Sequence, residues 1–159
     1  MSGGTWVTVL ERTLVIVKPD GVQRALVGQI ITRLELRGLR MVGLRLQHID
    51  RELAETHYGE HQDKAFYESL VSYITSGPSV TMVLEGPDAI GMVRSTVGAT
   101  RPAEAAPGTI RADYGLTVGR NLVHASDGPE SAKREVALFF GSEDLPSYER
   151  DIDRWILDS

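Results

Sequence analysis

The chain has 159 residues, a formal net charge of −5, 42 % hydrophobic and 25 % charged residues, and no cysteine. That is length enough for one domain with its own core. It excludes disulfides and thiolate metal centres, and it argues against a general nucleic-acid surface, which needs a basic stripe.

An acidic protein can still hold phosphates where a few cations converge in a cleft. No apolar run approaches the roughly 20 residues of a membrane span. Met1-Ser2-Gly3-Gly4 lacks the basic and apolar regions of a signal peptide, so a cytoplasmic protein is expected. One domain is expected over 1–159, with 1–10 as an N-terminal extension and 141–159 as a tail packed on the core.

Thr13-Leu14-Val15-Ile16-Val17 is a β-branched apolar run and predicts a buried strand. It ends at Lys18-Pro19-Asp20-Gly21, which reads as a turn and leaves a lysine at the strand's mouth. Leu26, Val27, Ile30, Ile31 and Leu34 recur at helical spacing, and Gly38 closes that helix. Leu39 to His48 alternates, with a phase break at Val42-Gly43 that predicts a bulge. Asp50 caps a short helix with Glu52 in its first turn.

Phe66, Tyr67, Leu70, Val71 and Ile74 form the stripe of another helix, stopped by Gly77-Pro78. Val80, Met82 and Leu84 alternate as a strand; Asp88 then caps a helix with Ile90, Val93 and Val97 inward, ended by Gly98. Ala99 to Gly108 is a loop longer than a connector needs, and such loops are usually functional. Arg120-Asn121-Leu122-Val123-His124-Ala125 reads as a short strand that carries a histidine to an edge, and Ser126-Asp127-Gly128-Pro129-Glu130 as a helix start. Ala132, Val136, Phe139 and Phe140 face inward on the last helix, and Ile152, Trp155 and Ile156 suggest a packed tail.

The order strand, helix, strand, helices, strand, helix, strand, helix predicts an α+β fold. It is the ferredoxin-like βαββαβ pattern, a four-stranded antiparallel sheet with helices on one face. A doubly wound parallel sheet is the alternative. The short link at Gly38 and the lack of a Gly-rich first turn count against it.

Patterns for a P-loop, a nucleophile elbow and a dinucleotide fingerprint are all missing. His57-Tyr58-Gly59-Glu60-His61 does match the H-x-x-E-H zinc pattern, but Gly59 interrupts the helix that would align the two histidines. Solvated helix-end histidines account for it better than a metal hydrolase does. His124 by itself reads as a packed core histidine. Its position between a strand end and a helix N-terminus changes that, because partial positive charge gathers there and favours phosphate. Lys18, Arg94 and Arg111, with Thr100 and Asn121, offer point-charge, forked and neutral donors for a polyphosphate. Phe66 suits either a base stack or the core, and Glu135 either orients His124 or is a solvated helix acid. His124 is therefore read as a nucleophile that carries a phosphoryl group.

Lys18-Pro19-Asp20-Gly21-Val22-Gln23-Arg24, Ser76-Gly77-Pro78, Pro107-Gly108-Thr109-Ile110-Arg111 and Asn121-Leu122-Val123-His124-Ala125-Ser126-Asp127 resemble the signatures of nucleoside diphosphate kinases. The similarity runs from about Glu11 to Trp155. It implies that His124 is phosphorylated on its pros nitrogen. It also implies that Lys18, Tyr58, Arg94, Thr100, Arg111 and Asn121 contact phosphates, ribose or the histidine's surroundings. By the same resemblance Phe66 and Val118 sandwich the base, and Ser126 and Glu135 support the catalytic ring. Further implications are a ping-pong transfer from a triphosphate, mainly ATP, to a diphosphate, Mg2+ held mainly by the nucleotide's phosphates, and a homohexamer, with a homotetramer as the alternative.

Three positions depart from the family pattern. Ala125 replaces a glycine after the histidine, Arg101 an asparagine before the loop proline, and Ala65 a proline before Phe66. If position 125 needs a positive φ, alanine costs about 1 kcal/mol. A nucleotide-binding regulatory module without turnover is the competing reading, since this fold hosts many functions. The presence of His124 with Glu135 disfavours it, because a pure binder needs no nucleophile.

Overall fold

The computed structural model describes residues 9–158, so most of the expected extension over 1–10 lies outside the described residues. Four strands form one antiparallel sheet in the order β2-β3-β1-β4. They are β1 (Glu11–Val17), β2 (Arg40–His48), β3 (Pro78–Gly86) and β4 (Val123–Ala125). The helices are α1 (Pro19–Gln23), α2 (Val27–Leu36), α3 (Arg51–His57), α4 (Tyr67–Ile74), α5 (Ala89–Val97), α6 (Ile110–Tyr114) and α7 (Pro129–Phe139). This is the α+β, ferredoxin-like arrangement that the element order predicts.

Strand periodicity explains the core. Val15 and Val17 of β1, with Val80, Met82 and Leu84 of β3, bury against Ile30 and Leu34 of α2 and Val93 and Val97 of α5. That is the one covered face expected from the sequence. The alternate residues Leu14, Ile16 and Val83 point the other way and bury against Ala54 of α3, Val71 and Ile74 of α4, and Phe139 of α7. Helices therefore cover both faces of the sheet. A run buried on every residue, such as Leu14 to Val17, needs apolar partners on two sides, which is why β1 shows no alternation.

Local signals produce most boundaries. Asp50 Oδ1 accepts from Leu53 N at 2.8 Å and caps α3. The expected bulge lies between Met41 and Gly43 of β2. A Cβ on Gly43 would come within 2.9 Å of Leu145 and 3.1 Å of Phe140, so any larger residue there would have to displace those side chains. Three readings need correction. Lys18-Pro19-Asp20-Gly21 is not an open turn but the start of α1, with proline at its first position. Asp88 has no capping hydrogen bond to α5; Glu11 Oε1 accepts from Ile90 N at 3.1 Å instead. Ser126 and Asp127 do not cap α7 either, since Gly128 is its N-cap and Ser131 Oγ accepts from Gly128 N at 3.0 Å.

The apolar part of the tail does not pack down as expected. Trp155 is 79 % exposed and Ile152 52 % exposed. The segment is held in part by polar contacts: Arg150 donates to the carbonyls of Gly38 (2.8 Å) and Leu39 (3.1 Å), while Leu145 packs against the core and Ile156 lies against Gly38. No helix among the described residues is long and apolar enough to cross a membrane.

Candidate active site

β4 is an edge strand of three residues, and its register places His124 opposite Ile16. The side chain is thereby directed to the face covered by α3 and α7. It is not sealed there: 21 % of it is exposed, and it opens into a cleft of about 860 Å³. Lys18, Tyr58, Phe66, Arg94, Thr100, Arg111, Val118, Asn121 and Glu135 all line that cleft. Of the residues singled out from the sequence, Ser126 is outside the lining, fully buried behind His124.

A hydrogen-bonded chain fixes the imidazole. Glu135 Oε1 on α7 is 2.6 Å from His124 Nε2, and Ser126 Oγ donates to the same oxygen at 2.9 Å. Ser126 Oγ in turn accepts from Leu14 N at 3.3 Å, which ties the chain to central strand β1. Burial opposes ionisation of Glu135, but its hydrogen bonds with His124 and then Ser126 hold its carboxyl below the usual carboxylate range. An ionised carboxylate only accepts, so Nε2 carries the proton and Nδ1 keeps a free lone pair.

The cations are held by backbone and amide oxygens rather than by acids. Lys18 is the N-cap of α1, and its Nζ donates to Asn121 Oδ1 at 2.9 Å. Asn121 Nδ2 donates to Thr100 O at 3.0 Å, fastening the long loop to β4. Arg111, in α6, donates from Nε to Asn121 O (3.2 Å), from Nη1 to Gly98 O (3.0 Å) and from Nη2 to Val123 O (2.5 Å). Arg94 Nη1 lies 3.5 Å from Ala125 O. Burial and then the nearby Arg111 push the Lys18 ammonium down to about 8; burial and Arg94 push Arg111 down to about 10. These positive charges face one cleft, and Asp20 offsets only part of the Lys18 charge.

The Lys18 shift is also a statement about stability. The folded pKa of about 8 lies below the ordinary 10.5, so between these values the unfolded chain binds more protons and stability rises with pH. At neutral pH the buried ammonium opposes folding by roughly 3 kcal/mol. Lys18→Met is expected to raise the melting temperature of the nucleotide-free protein at pH 7 by at least about 4 °C. A melt unchanged or lowered would show that the ammonium is solvated or otherwise paired.

The apolar rim consists of Phe66, 49 % exposed at the N-cap of α4, and Val118, 48 % exposed on a 3₁₀ turn. Tyr58 is buried, and burial with the Glu135 charge raises its hydroxyl to about 12, so it stays protonated. Ala125 is not among the residues with positive φ, so alanine at this position carries no backbone penalty. The left-handed residue here is Leu122, at φ 73°, just before the strand. Asp20 Oδ2 accepts from its N at 3.1 Å and Lys18 N donates to its carbonyl at 2.8 Å, which holds the turn that precedes His124.

Sequence reasoning missed two neighbours of the ring. His57, read as a solvated helix end, is 4 % exposed and packs edge-on against His124 with ring centroids 4.6 Å apart. Burial, then His124, pushes its imidazole down to about 3, so it is neutral. Arg134 Nη2 lies 3.7 Å from Glu135 Oε2. The signal for His57 was its place one residue before Tyr58, at the end of a helix whose Ala54 is core.

Comparison with known proteins agrees with this geometry. Residues 11–145 match the family model described as nucleoside diphosphate kinase. The chain is 60 % identical over 147 residues to the nucleoside diphosphate kinase of Carboxydothermus hydrogenoformans, covering 92 % of this chain and 99 % of that one. It is 59 % identical over 147 residues to the Archaeoglobus fulgidus protein of the same name, covering 92 % and 97 %. The structure of a halophilic nucleoside diphosphate kinase from Halobacterium salinarum in complex with CDP superposes with a TM-score of 0.91 at 54 % identity, covering 93 % and 99 %. A histidine braced by a carboxylate in a cation-lined cleft, on a chain alike over more than nine tenths of its length, leads to one assignment: this protein belongs to the nucleoside diphosphate kinase family.

Proposed function

We propose that the protein transfers the terminal phosphate of a nucleoside triphosphate, mainly ATP, to a nucleoside diphosphate through a phosphohistidine at His124. The observation that carries this reading is the pairing of His124 Nε2 with Glu135 Oε1 at 2.6 Å, which leaves Nδ1 free in a cleft with Lys18, Arg94 and Arg111. Nδ1 attacks the γ-phosphorus, the P–N bond forms as the bond to the β-phosphate oxygen breaks, and the diphosphate departs. A second diphosphate attacks the phosphohistidine and restores the ring. A loose phosphoryl-transfer transition state needs positioning and charge more than covalent help.

Within this proposal Glu135 and Ser126 keep the ring in one tautomer and orientation. Lys18, Arg94 and Arg111 neutralise phosphate oxygens. Thr100, Asn121 and Tyr58 supply neutral donors, and Phe66 and Val118 clasp the base by its faces. Apolar contact to a base reads few of its edges, which supports broad nucleobase use. Mg2+ belongs to the same proposal. The lining carboxylates do not converge: among the described residues the one potential ligand trio is His57, His124 and Glu135, whose imidazoles do not suit magnesium. This fits an ion that arrives on the nucleotide's phosphates and spreads their charge when bound.

The reaction is tested by mixing the protein with ATP, Mg2+ and a second nucleoside diphosphate and following the new triphosphate. No product, with nucleotide binding intact, would favour the regulatory alternative. A pH profile gives a further check. kcat/KM reports the free enzyme, so it should fall as pH rises through about 8 and Lys18 loses its proton. A kcat/KM flat from pH 7 to 9 would remove Lys18 from phosphate binding.

Assembly and location complete the proposal: a homohexamer, or alternatively a homotetramer, in the cytoplasm. Leu44 and Leu46, 55 % and 67 % exposed on edge strand β2, supply apolar surface of the kind that subunit contacts cover. Light scattering of the purified chain should give the mass of six or four copies; a monomer would sink this part.

A further inference from the structure

The H-x-x-E-H pattern left over from the sequence has a different partner set in three dimensions. His57 does not converge with His61. Its ring lies edge-on to His124, and one ligand atom each from His57, His124 and Glu135 falls within a 4.8 Å span. Neither ring nitrogen of His57 has a hydrogen-bond partner, although the residue is 96 % buried by its 4 % exposure. A buried imidazole with two unmet nitrogens is costly, and native proteins seldom leave one without a use.

We propose that His57, His124 and Glu135 form a site for a zinc-class transition-metal ion, and that the bound ion holds the protein in a form that cannot accept a phosphoryl group. Two imidazoles and one carboxylate, with a fourth position open to water, are a zinc donor set; magnesium prefers oxygen ligands and octahedral geometry. Bonds of about 2.1 Å to a tetrahedral ion place donor atoms about 3.4 Å apart. The 2.6 Å contact between His124 and Glu135 therefore opens, and His57 swings inward by about an ångström to close the set. The flanking cations act as a filter. Lys18 and Arg94 line the same cleft, and Arg134 Nη2 is 3.7 Å from Glu135 Oε2. Their repulsion is overcome by an ion with strong bonds to imidazole and not by a hard, oxygen-seeking one.

The ion takes Nε2 of His124, the nitrogen that faces Glu135. The ring's single proton then moves to Nδ1, so the lone pair that would attack phosphorus is lost, and the hydrogen bond to the carboxylate that orients the ring is broken. Transfer stops. That consequence rests on the phosphohistidine reading, whereas the binding does not.

The test is a titration of the nucleotide-free, magnesium-free protein with Co2+, read by the visible absorption of a tetrahedral cobalt site and by its loss when Zn2+ is added. One ion per chain is expected. His57→Gln and Glu135→Gln should each weaken binding by at least about tenfold, and His61→Gln should leave it unchanged. In the transfer assay with excess Mg2+, micromolar Zn2+ should slow the wild type reversibly on chelation, with a smaller fractional effect on His57→Gln. Equal cobalt affinity in the wild type and both Gln variants, loss of binding in His61→Gln, or no tetrahedral band would overturn the site. Cobalt bound through His57 on a chain that transfers no phosphate would support the site and refute the kinase reading.

Discussion

His124→Ala is expected to abolish exchange between ATP and a second nucleoside diphosphate, with a loss of about 10⁴-fold or more in kcat/KM. The reason lies in the division of labour at the site. In the proposed mechanism Lys18, Arg94 and Arg111 bind and neutralise phosphate, and their hydrogen bonds go to backbone and amide oxygens. His124 is the nucleophile, braced through Glu135 and Ser126. The fold should survive the change, because the ring is partly exposed and its neighbours in β4 keep their pairing to β1. A second readout isolates the covalent step. Incubation of the wild type with γ-labelled ATP alone should leave one acid-labile, base-stable phosphate on the chain, as a P–N bond requires, and His124→Ala should carry none. Robust turnover by the variant, or a label that resists acid, would remove the phosphohistidine from the mechanism.

Arg111→Ala should produce the largest loss of stability among the cleft residues, roughly 3 kcal/mol. From the sequence Arg111 is one more phosphate cation. In the structure its guanidinium also donates to three carbonyls, those of Gly98, Asn121 and Val123. These oxygens belong to the end of α5, the approach to β4 and β4 itself, so one planar fork joins three segments. Truncation removes two buried hydrogen bonds and one part-buried one at ~1–3 kcal/mol each, although Asn121 O keeps its bond from Val123 N, and removal of a buried charge offsets part of the loss. Arg111→Lys should rescue little, since a single ammonium cannot reach oxygens spaced for a fork. Urea unfolding measures it: the midpoint should fall with the slope unchanged. A loss below about 0.5 kcal/mol would show that the three hydrogen bonds carry no net stability. Lys18 gives the opposite sign on the same face, because its buried ammonium has one hydrogen bond, to an amide oxygen, and the Asp20 charge does not make up for burial.

What could be read from the chain alone was whatever depends on near neighbours. The β-branched run of β1, the 3.6-residue period of α2, α4 and α5, the Asp50 cap and the glycine bulge in β2 are all local, and they stand where they were expected. Their order was enough for the sheet topology, and the motif around His124 was enough for the family. The expectations that failed were those in which a distant residue overrides a local signal. Asp88 looks like a cap, but Glu11 from the far end of β1 takes the bond. His57 looks solvated, but α3 carries it under β4 and against His124. Ile152, Trp155 and Ile156 look like a buried stripe, but the segment is anchored by Arg150 at Gly38 and Leu39, and Ile152 and Trp155 stay exposed. Residue types and spacing could therefore single out His124 and the cations that share its cleft. Only the packed chain could show that Glu135 and Ser126 brace the ring through Leu14, that Arg111 is as much a structural clamp as a charge, and that an unbonded imidazole lies beside the reacting one. Such contacts join residues up to about a hundred positions apart, and local spacing holds no record of them.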